Sequence, residues 1–476
     1  MNQRIVSDIK YRRITLLIIV VILFYIFFTV PSTLSAPPFN FHTESYYSLL
    51  SKGFLSGQLS LTLLPSEKLL ALPNPYDPVE NSGLRLHDAS LYHGKYYLYY
   101  GPLPALAFFI PLRLLTGVYP TETLSVLFFL SNGFIFIFAL IIKIKKKYFP
   151  EISEAHVLFA GFLLAFSTTA PFLLTRGLFY ESAIASAFWA LSIAFYFLYN
   201  AITNNFIKIK DVALFSFFLG LAVAGRPNFS LLCFIFIPSV LIYLIKYAPR
   251  HKLKALITSL LLPICIIAFG LAMYNYLRFD SFFQFGGKYQ LTGANITQLP
   301  QSFFNFNFQH IVNILYLNFL QPFTWTSKYR HLPSLPHIYL GQTILPSNQI
   351  YFYDPVSGVL MISPIIIFII GLFVGIKYSS EKNKLLFKNF FTFVFFMCLT
   401  PAVTILFFLF FNSYTSQRYE MDFSPYLIFL SIIGYWLLQQ CSLKPWILNT
   451  MKALYILLGV ISILIGFDIG ITGYGI

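Results

Sequence analysis

The chain has 476 residues, 57% of them hydrophobic and only 10% charged, with a mean hydropathy of +0.72. A soluble domain carries about a quarter charged residues, so this composition excludes one. The net charge of +15 suggests a nucleic-acid partner until its distribution along the chain is considered.

The apolar residues gather in runs of roughly 17–23, long enough to cross a ~30 Å hydrocarbon core. In chain order they predict about eleven spans, at 14–30, 122–142, 156–174, 181–200, 212–225, 229–245, 256–277, 356–376, 390–411, 424–439 and 453–471. The fold class implied is an all-α polytopic membrane protein. The first span follows Arg12 and Arg13, and Leu34-Ser35-Ala36 loosely resembles a signal cleavage site. The run exceeds a signal h-region and Pro37 is unfavourable after such a site, so this span is read as an anchor.

With the N-terminus in the cytoplasm, the basic residues sort to one side. The inner segments hold Arg4, Lys10, Arg12 and Arg13, then Lys143, Lys145, Lys146 and Lys147, and similar clusters follow near 208, 250, 382 and 444. About 20 of the 32 basic residues lie on the short inner connections, which is the positive-inside bias and sets orientation. The charge is a topology signal, and no nucleic-acid partner is expected. One apolar stretch, 101–116, would invert every later helix if it crossed. Broken by Pro102, Pro104 and Pro111, with Arg113 near its end, it is predicted to be a surface or re-entrant helix at the outer interface.

Two large outer loops remain, 31–121 and 278–354. Both are rich in Pro, Asn, Tyr and Phe, which predicts ordered caps rather than linkers. The inner connections are too small for a catalytic domain, so chemistry is expected on the outer face. The chain divides into a module over 1–250, containing the first loop, and a module over 251–476, containing the second. Cys233, Cys265, Cys398 and Cys441 show neither metal-ligand spacing nor a disulfide framework, and read as packing residues.

Five outer motifs carry polar residues. Phe41-His42-Thr43-Glu44-Ser45-Tyr46-Tyr47 places an acid near the membrane surface. Glu44 there could serve as a general base, ligate a divalent cation, or simply favour a helix start. The run 85–104 contains His87, Asp88, His93, Lys95 and a tyrosine cluster suited to an aromatic belt. Then come Thr175-Arg176-Gly177-Leu178-Phe179-Tyr180-Glu181, Gly225-Arg226-Pro227-Asn228 and Ser416-Gln417-Arg418-Tyr419-Glu420-Met421-Asp422. Arginine binds phosphate oxygens in bidentate fashion and stays charged on burial. Each arginine alone reads as a snorkelling anchor. Three at outer helix ends, against the positive-inside trend, predict one shared anionic site.

The order of these features resembles the GT-C superfamily of polytopic glycosyltransferases, in the bacterial branch related to protein O-mannosyltransferases and lipid A aminoarabinose transferases. The matching residues are Glu44, Tyr46, Leu49, Leu50 and Gly53; then Gly94-Lys95-Tyr96-Tyr97 and Pro102-Leu103-Pro104-Ala105-Leu106; then Glu181, Arg226, Arg418 and Tyr419. They cover roughly the first 250 residues and the region 416–430. The resemblance implies a polyprenyl-phosphate sugar donor, a lipid, glycan or protein acceptor, and a bacterial inner membrane with the site on the periplasmic or extracellular face. It implies Glu44 as base, with Asp88 or Glu181 orienting the acceptor or holding a divalent cation, the one cofactor considered. Arg226 and Arg418 would neutralise the donor phosphate, with Tyr419, Lys95 and His87 in support, and the anomeric carbon would invert. The family usually has Asp-Glu where this chain has Thr43-Glu44, so either Glu44 takes the Asp's role or the catalytic acid is lost.

Three other readings stand beside it. A transporter or flippase would want ionisable residues near mid-membrane, and the spans hold few. A polysaccharide polymerase or ligase would use a late outer loop, where Lys328, Arg330, His331 and His337 lie. The Thr43-Glu44 departure would suit a non-catalytic scaffold.

Overall fold

The predicted apolar runs lie mostly on helix. The computed structural model describes residues 2–35, 45–204, 206–298, 308–326, 337–341, 352–378, 381–411 and 414–473. In chain order the helices are α1 (Asn2–Ser35) and α2 (Tyr46–Leu55), α3 (Ala105–Thr116), α4 (Glu122–Tyr148), α5 (Glu154–Phe166), α6 (Ala170–Arg176), α7 (Phe179–Thr203) and α8 (Ile209–Gly225). They continue with α9 (Pro227–Tyr247), α10 (Arg250–Phe279), α11 (Phe308–Leu315), α12 (Pro364–Gly375), α13 (Glu381–Phe411), α14 (Ser424–Gln439) and α15 (Pro445–Thr472).

Among the described residues seven helices (α1, α4, α7, α9, α10, α13 and α15) are long and apolar enough to cross a membrane. The pair α5 and α6, bent by 41°, makes an eighth if it is one span. The chain is therefore a mostly helical, multi-pass membrane protein. Two predicted spans are not single rods. The run 156–174 bends at Ser167–Thr169, where three hydroxyl side chains interrupt the apolar pattern. The run 356–376 is broken at Ser363-Pro364, because the residue before a proline is pushed out of the helical region and proline lacks the N–H. The segment 105–116 is a short apolar helix of about 18 Å, and Gly117 ends it in the left-handed conformation.

The packing sorts the helices by environment. Helix α14 is buried on every side from Ser424 to Leu438, the pattern of a helix at the centre of a large core. It lies against α12, where Gly434 allows backbone contact: a Cβ there would stand 2.1 Å from the Phe368 carbonyl oxygen. Small residues at such contacts are the usual device for close approach in lipid, where burial of apolar surface offers no advantage. Helix α7 packs between α4 and α8 and is also largely buried. Helix α10 is peripheral, with Leu262, Ile266 and Phe269 exposed, as lipid contact requires.

The described parts of the two large loops form short paired strands. Strands β1 (Ser90–Tyr92) and β2 (Lys95–Tyr97) pair antiparallel around His93-Gly94, both at positive φ, as a tight hairpin turn demands. In the second loop β3 (Thr324–Thr326) pairs with β4 (His337–Tyr339). Strand β5 (Phe352–Tyr353) pairs parallel with β6 (Tyr414–Thr415), which brings Asp354 toward the Arg418 segment.

Candidate functional site

Two loops distant in sequence are stitched together beside the ends of α7 and α10. The Asp88 amide donates to the Leu291 carbonyl (2.8 Å), and the Leu291 amide returns a bond to Ala89 (2.9 Å). Ser90 Oγ donates to the Gly286 carbonyl (2.9 Å), and the Tyr92 hydroxyl to Asp280 (3.0 Å). Arg278, at the end of α10, donates to the Leu98 carbonyl (2.7 Å) and lies 3.6 Å from the centre of the Tyr274 ring. The non-glycine residues at positive φ among the described residues are Asp88, His93 and Asp280, all at this junction. Such backbones persist only where surrounding contacts hold them, and they concentrate at functional sites.

Asp88 is the centre of the junction. It is buried, and both its carboxylate oxygens are held by neutral donors. Gln290 Nε2 donates to Oδ1 at 2.8 Å, and the Tyr180 hydroxyl donates to Oδ2. A carboxylate has about four acceptor positions, so two donors leave room for a further hydroxyl. The Arg418 guanidinium lies 4.5 Å from the centre of the same Tyr180 ring. Asp88 and Arg418, 330 positions apart in the chain, thus meet at one tyrosine. Arg418 Nη1 also lies 3.7 Å from Asp354 Oδ2.

The second arginine shares Tyr419 with the first. Arg226 is 5.1 Å from the Tyr419 ring centre and Arg418 is 5.5 Å from it. Arg226 Nη2 pairs with Asp422 Oδ2 at 2.5 Å, and Asn228 Nδ2 donates to the same oxygen at 3.2 Å. Burial lowers the Arg226 pKa, but Asp422, Tyr100 and Tyr419 outweigh it, so the value rises above the ordinary arginine range. Arg226 Nε and Asn228 Oδ1 are buried without a hydrogen-bond partner in the protein, and such atoms call for an explanation. Gly101 lets the first loop reach this helix end, since a Cβ there would meet the Ala224 carbonyl at 1.9 Å.

Other expected residues are placed elsewhere. Glu44 and Thr43 lie outside the described residues, as do Lys328, Arg330 and His331. Glu181 does not reach the junction. It accepts from the Leu178 amide (3.3 Å) at the start of its own helix and pairs with Arg176 (3.2 Å). The geometry brings Arg226 and Arg418 to one tyrosine, Tyr419, and pairs Arg176 with the acid across a tight turn. His87 points outward, its Nε2 3.7 Å from Asp88. Lys95 is exposed on the hairpin, opposite Tyr92. No three His, Cys, Asp or Glu side chains converge among the described residues. Residues that sequence reasoning passed over are Tyr180 and Asp422, both inside motifs already singled out, and Gln290, which lies in no motif at all.

Comparison with family models, curated proteins and solved structures finds no match.

One buried acid yields a pH prediction. Glu420 is buried against Gln417, whose Nε2 donates to it at 2.7 Å. Burial raises its pKa well above the ordinary 4.5, and the Gln417 bond offsets only part of this. The folded chain then holds this proton more tightly than the unfolded chain does. Its contribution is full below the unfolded pKa and is lost as pH rises through the folded one. The thermal midpoint in detergent should fall with rising pH, and Glu420→Gln should flatten that slope. A wild-type slope unchanged by the substitution would refute the assignment.

Proposed function

We propose that the chain is a membrane glycosyltransferase of the GT-C type. It would transfer a sugar from a polyprenyl-phosphate donor to an acceptor at the outer face of a bacterial inner membrane. The observation that carries this reading is the meeting of Asp88 and Arg418 at Tyr180, with Arg226 and Arg418 both near Tyr419. Such transfer needs a carboxylate for the acceptor proton and cations for the departing phosphate, a short distance apart.

In the proposed step the acceptor oxygen attacks the anomeric carbon while the bond from that carbon to the phosphate oxygen breaks. The acceptor proton passes to the Asp88 carboxylate, and the bonding pair leaves with the lipid phosphate, whose charge Arg418 and Arg226 offset. Gln290 and Tyr180 hold the carboxylate in place. Attack opposite the leaving phosphate inverts the sugar. In this reading the site lies on the outer face, which the positive-inside bias of the basic residues supports. Glu44 stays a candidate partner of Asp88, or its replacement as base.

The test is transfer of label from a panel of polyprenyl-phosphate sugars in membranes holding the wild-type chain or Arg418→Ala. Preorganised charge of this kind contributes on the order of 10²–10³ in rate, and a loss of that size at equal protein level is expected. No transfer from wild type with any donor would defeat the reading.

One observation favours a polymerase or ligase instead. His337 Nδ1 lies 2.8 Å from Asp468 Oδ1, a carboxylate-oriented imidazole of the kind used in acid–base chemistry. His337 is buried, and Asp468 Oδ2 also accepts from the Ile338 amide at 2.5 Å, so the pair also clamps β4 to α15. Transfer that survives Arg418→Ala but not His337→Ala would favour this second reading.

A further inference from the structure

Helix α10 carries a lipid-facing stripe that does not stop where the helix does. Leu262, Ile266, Phe269 and Tyr276 follow one another at helical spacing, and all are exposed. The apolar run of this helix, 256–277, is about 33 Å long, so a ~30 Å hydrocarbon core ends near Tyr276. Asp280 then turns the chain back in the left-handed conformation, its amide donating to the Tyr276 carbonyl (2.9 Å). Asn275 Nδ2 donates to the Phe282 carbonyl (3.2 Å). The Phe282 ring stacks on Tyr276, with centres 4.8 Å apart and planes at 17°. The returning chain lays a second aromatic ring on the lipid-facing stripe, and Phe283 beside it is 91% exposed. Phe279, by contrast, is buried against Tyr92, Tyr97 and Tyr289 of the loop junction.

We propose that residues 276–283 form an anchor in the headgroup zone of the bilayer, with Tyr276, Phe282 and Phe283 as its lipid contacts. Exposed aromatic patches mark interaction surfaces, and a ring with an apolar body and a polar tip belongs at the membrane–water boundary. The occupant is lipid because the patch continues the face that α10 turns to the hydrocarbon. Asp280 and His93, both mostly exposed, give the same turn a polar side, so it meets water as well as lipid. The anchor bears on Asp88 because this turn is tied to the first loop. Arg278 donates to the Leu98 carbonyl, and Asp280 accepts from the Tyr92 hydroxyl. Asp88 is thereby held at a set depth, level with the lipid headgroups. This inference is independent of the glycosyltransferase reading.

The experiment is fluorescence quenching of the full chain in phosphatidylcholine nanodiscs. Tryptophan is placed by Phe283→Trp, and the signal of the unsubstituted chain is subtracted. Lipids brominated near the headgroup end of the acyl chain should quench it several times more strongly than lipids brominated near the methyl end. Phe282→Trp should give the same order and guards against one variant that fails to fold. Phe269→Trp, about 10 Å below Tyr276, should give the reverse order. Lys95→Trp, on the exposed hairpin, should respond to acrylamide and to neither lipid. Acrylamide quenching at 282 and 283 equal to that at 95, without lipid quenching, would place the turn in water and overturn the proposal. Quenching by neither agent would overturn it too, because protein would then cover the patch, as a second copy of the chain could. Stronger quenching from the methyl-end bromines would sink it by placing the turn inside the core.

Discussion

Asp88→Asn should reduce sugar transfer by about 10²–10⁴ while leaving donor binding in place, the range for loss of a positioned general base. The substitution keeps volume and keeps an oxygen for one of the two donors, Tyr180 or Gln290. What it removes is the ability to take a proton. Glu44→Gln run beside it separates the two acids. If Asp88→Asn alone abolishes transfer, the first loop supplies the base from its hairpin and the Thr43-Glu44 departure costs nothing. If Glu44→Gln abolishes it and Asp88→Asn does not, the base lies near the first span and Asp88 is a structural tie between loops. Tyr180→Phe gives a finer reading. It removes one donor to the carboxylate but keeps the ring beneath Arg418, so it should lower kcat far less than Asp88→Asn does.

Asp422→Ala should destabilise the chain by about 3–5 kcal/mol, because it leaves the buried Arg226 guanidinium without its counter-charge. The pair is nearly inaccessible to water on both sides, so solvent cannot take over the role of the carboxylate. The thermal midpoint in detergent and the yield of folded protein report the loss. The informative companion replaces both partners, Arg226→Met with Asp422→Leu. A buried ion pair exchanged for apolar groups of similar volume is often neutral or stabilising, so this double variant should recover stability. It should not recover transfer, since the donor phosphate would have lost one of its two cations. Recovery of both would make the pair purely architectural and remove Arg226 from the proposed site.

The helices were legible in the sequence because burial in lipid imposes one condition along a whole run. The range 424–439, read from hydropathy, is the range of α14. Bends were harder to see, since Ser167–Thr169 and Ser363-Pro364 sit inside runs whose average hydropathy stays high. The site was legible in part. Charge at the expected outer helix ends pointed to Arg226 and Arg418, and equally to Arg176, whose ion pair with Glu181 the sequence reading did not foresee. Hydropathy reports what surrounds a residue and not which residue it meets. The Asp88–Gln290 bond joins positions about 200 apart, and nothing local to Gln290, in a loop with neither periodicity nor motif, marks it as a partner.

The stitching of residues 88–98 to residues 278–291 also bears on when the proposed site is assembled. A chain inserted into a membrane from its N-terminus presents the first hairpin early, when neither Gln290 nor Arg418 has been made. Until Gln290 is made Asp88 lacks one of its two donors, and until Arg418 is made Tyr180 lacks the guanidinium beside it. The full arrangement is thus a late product of biogenesis, and a fragment ending before α10 would carry Asp88 without Gln290 or Arg418. A cell making this protein would complete the proposed site only late in synthesis.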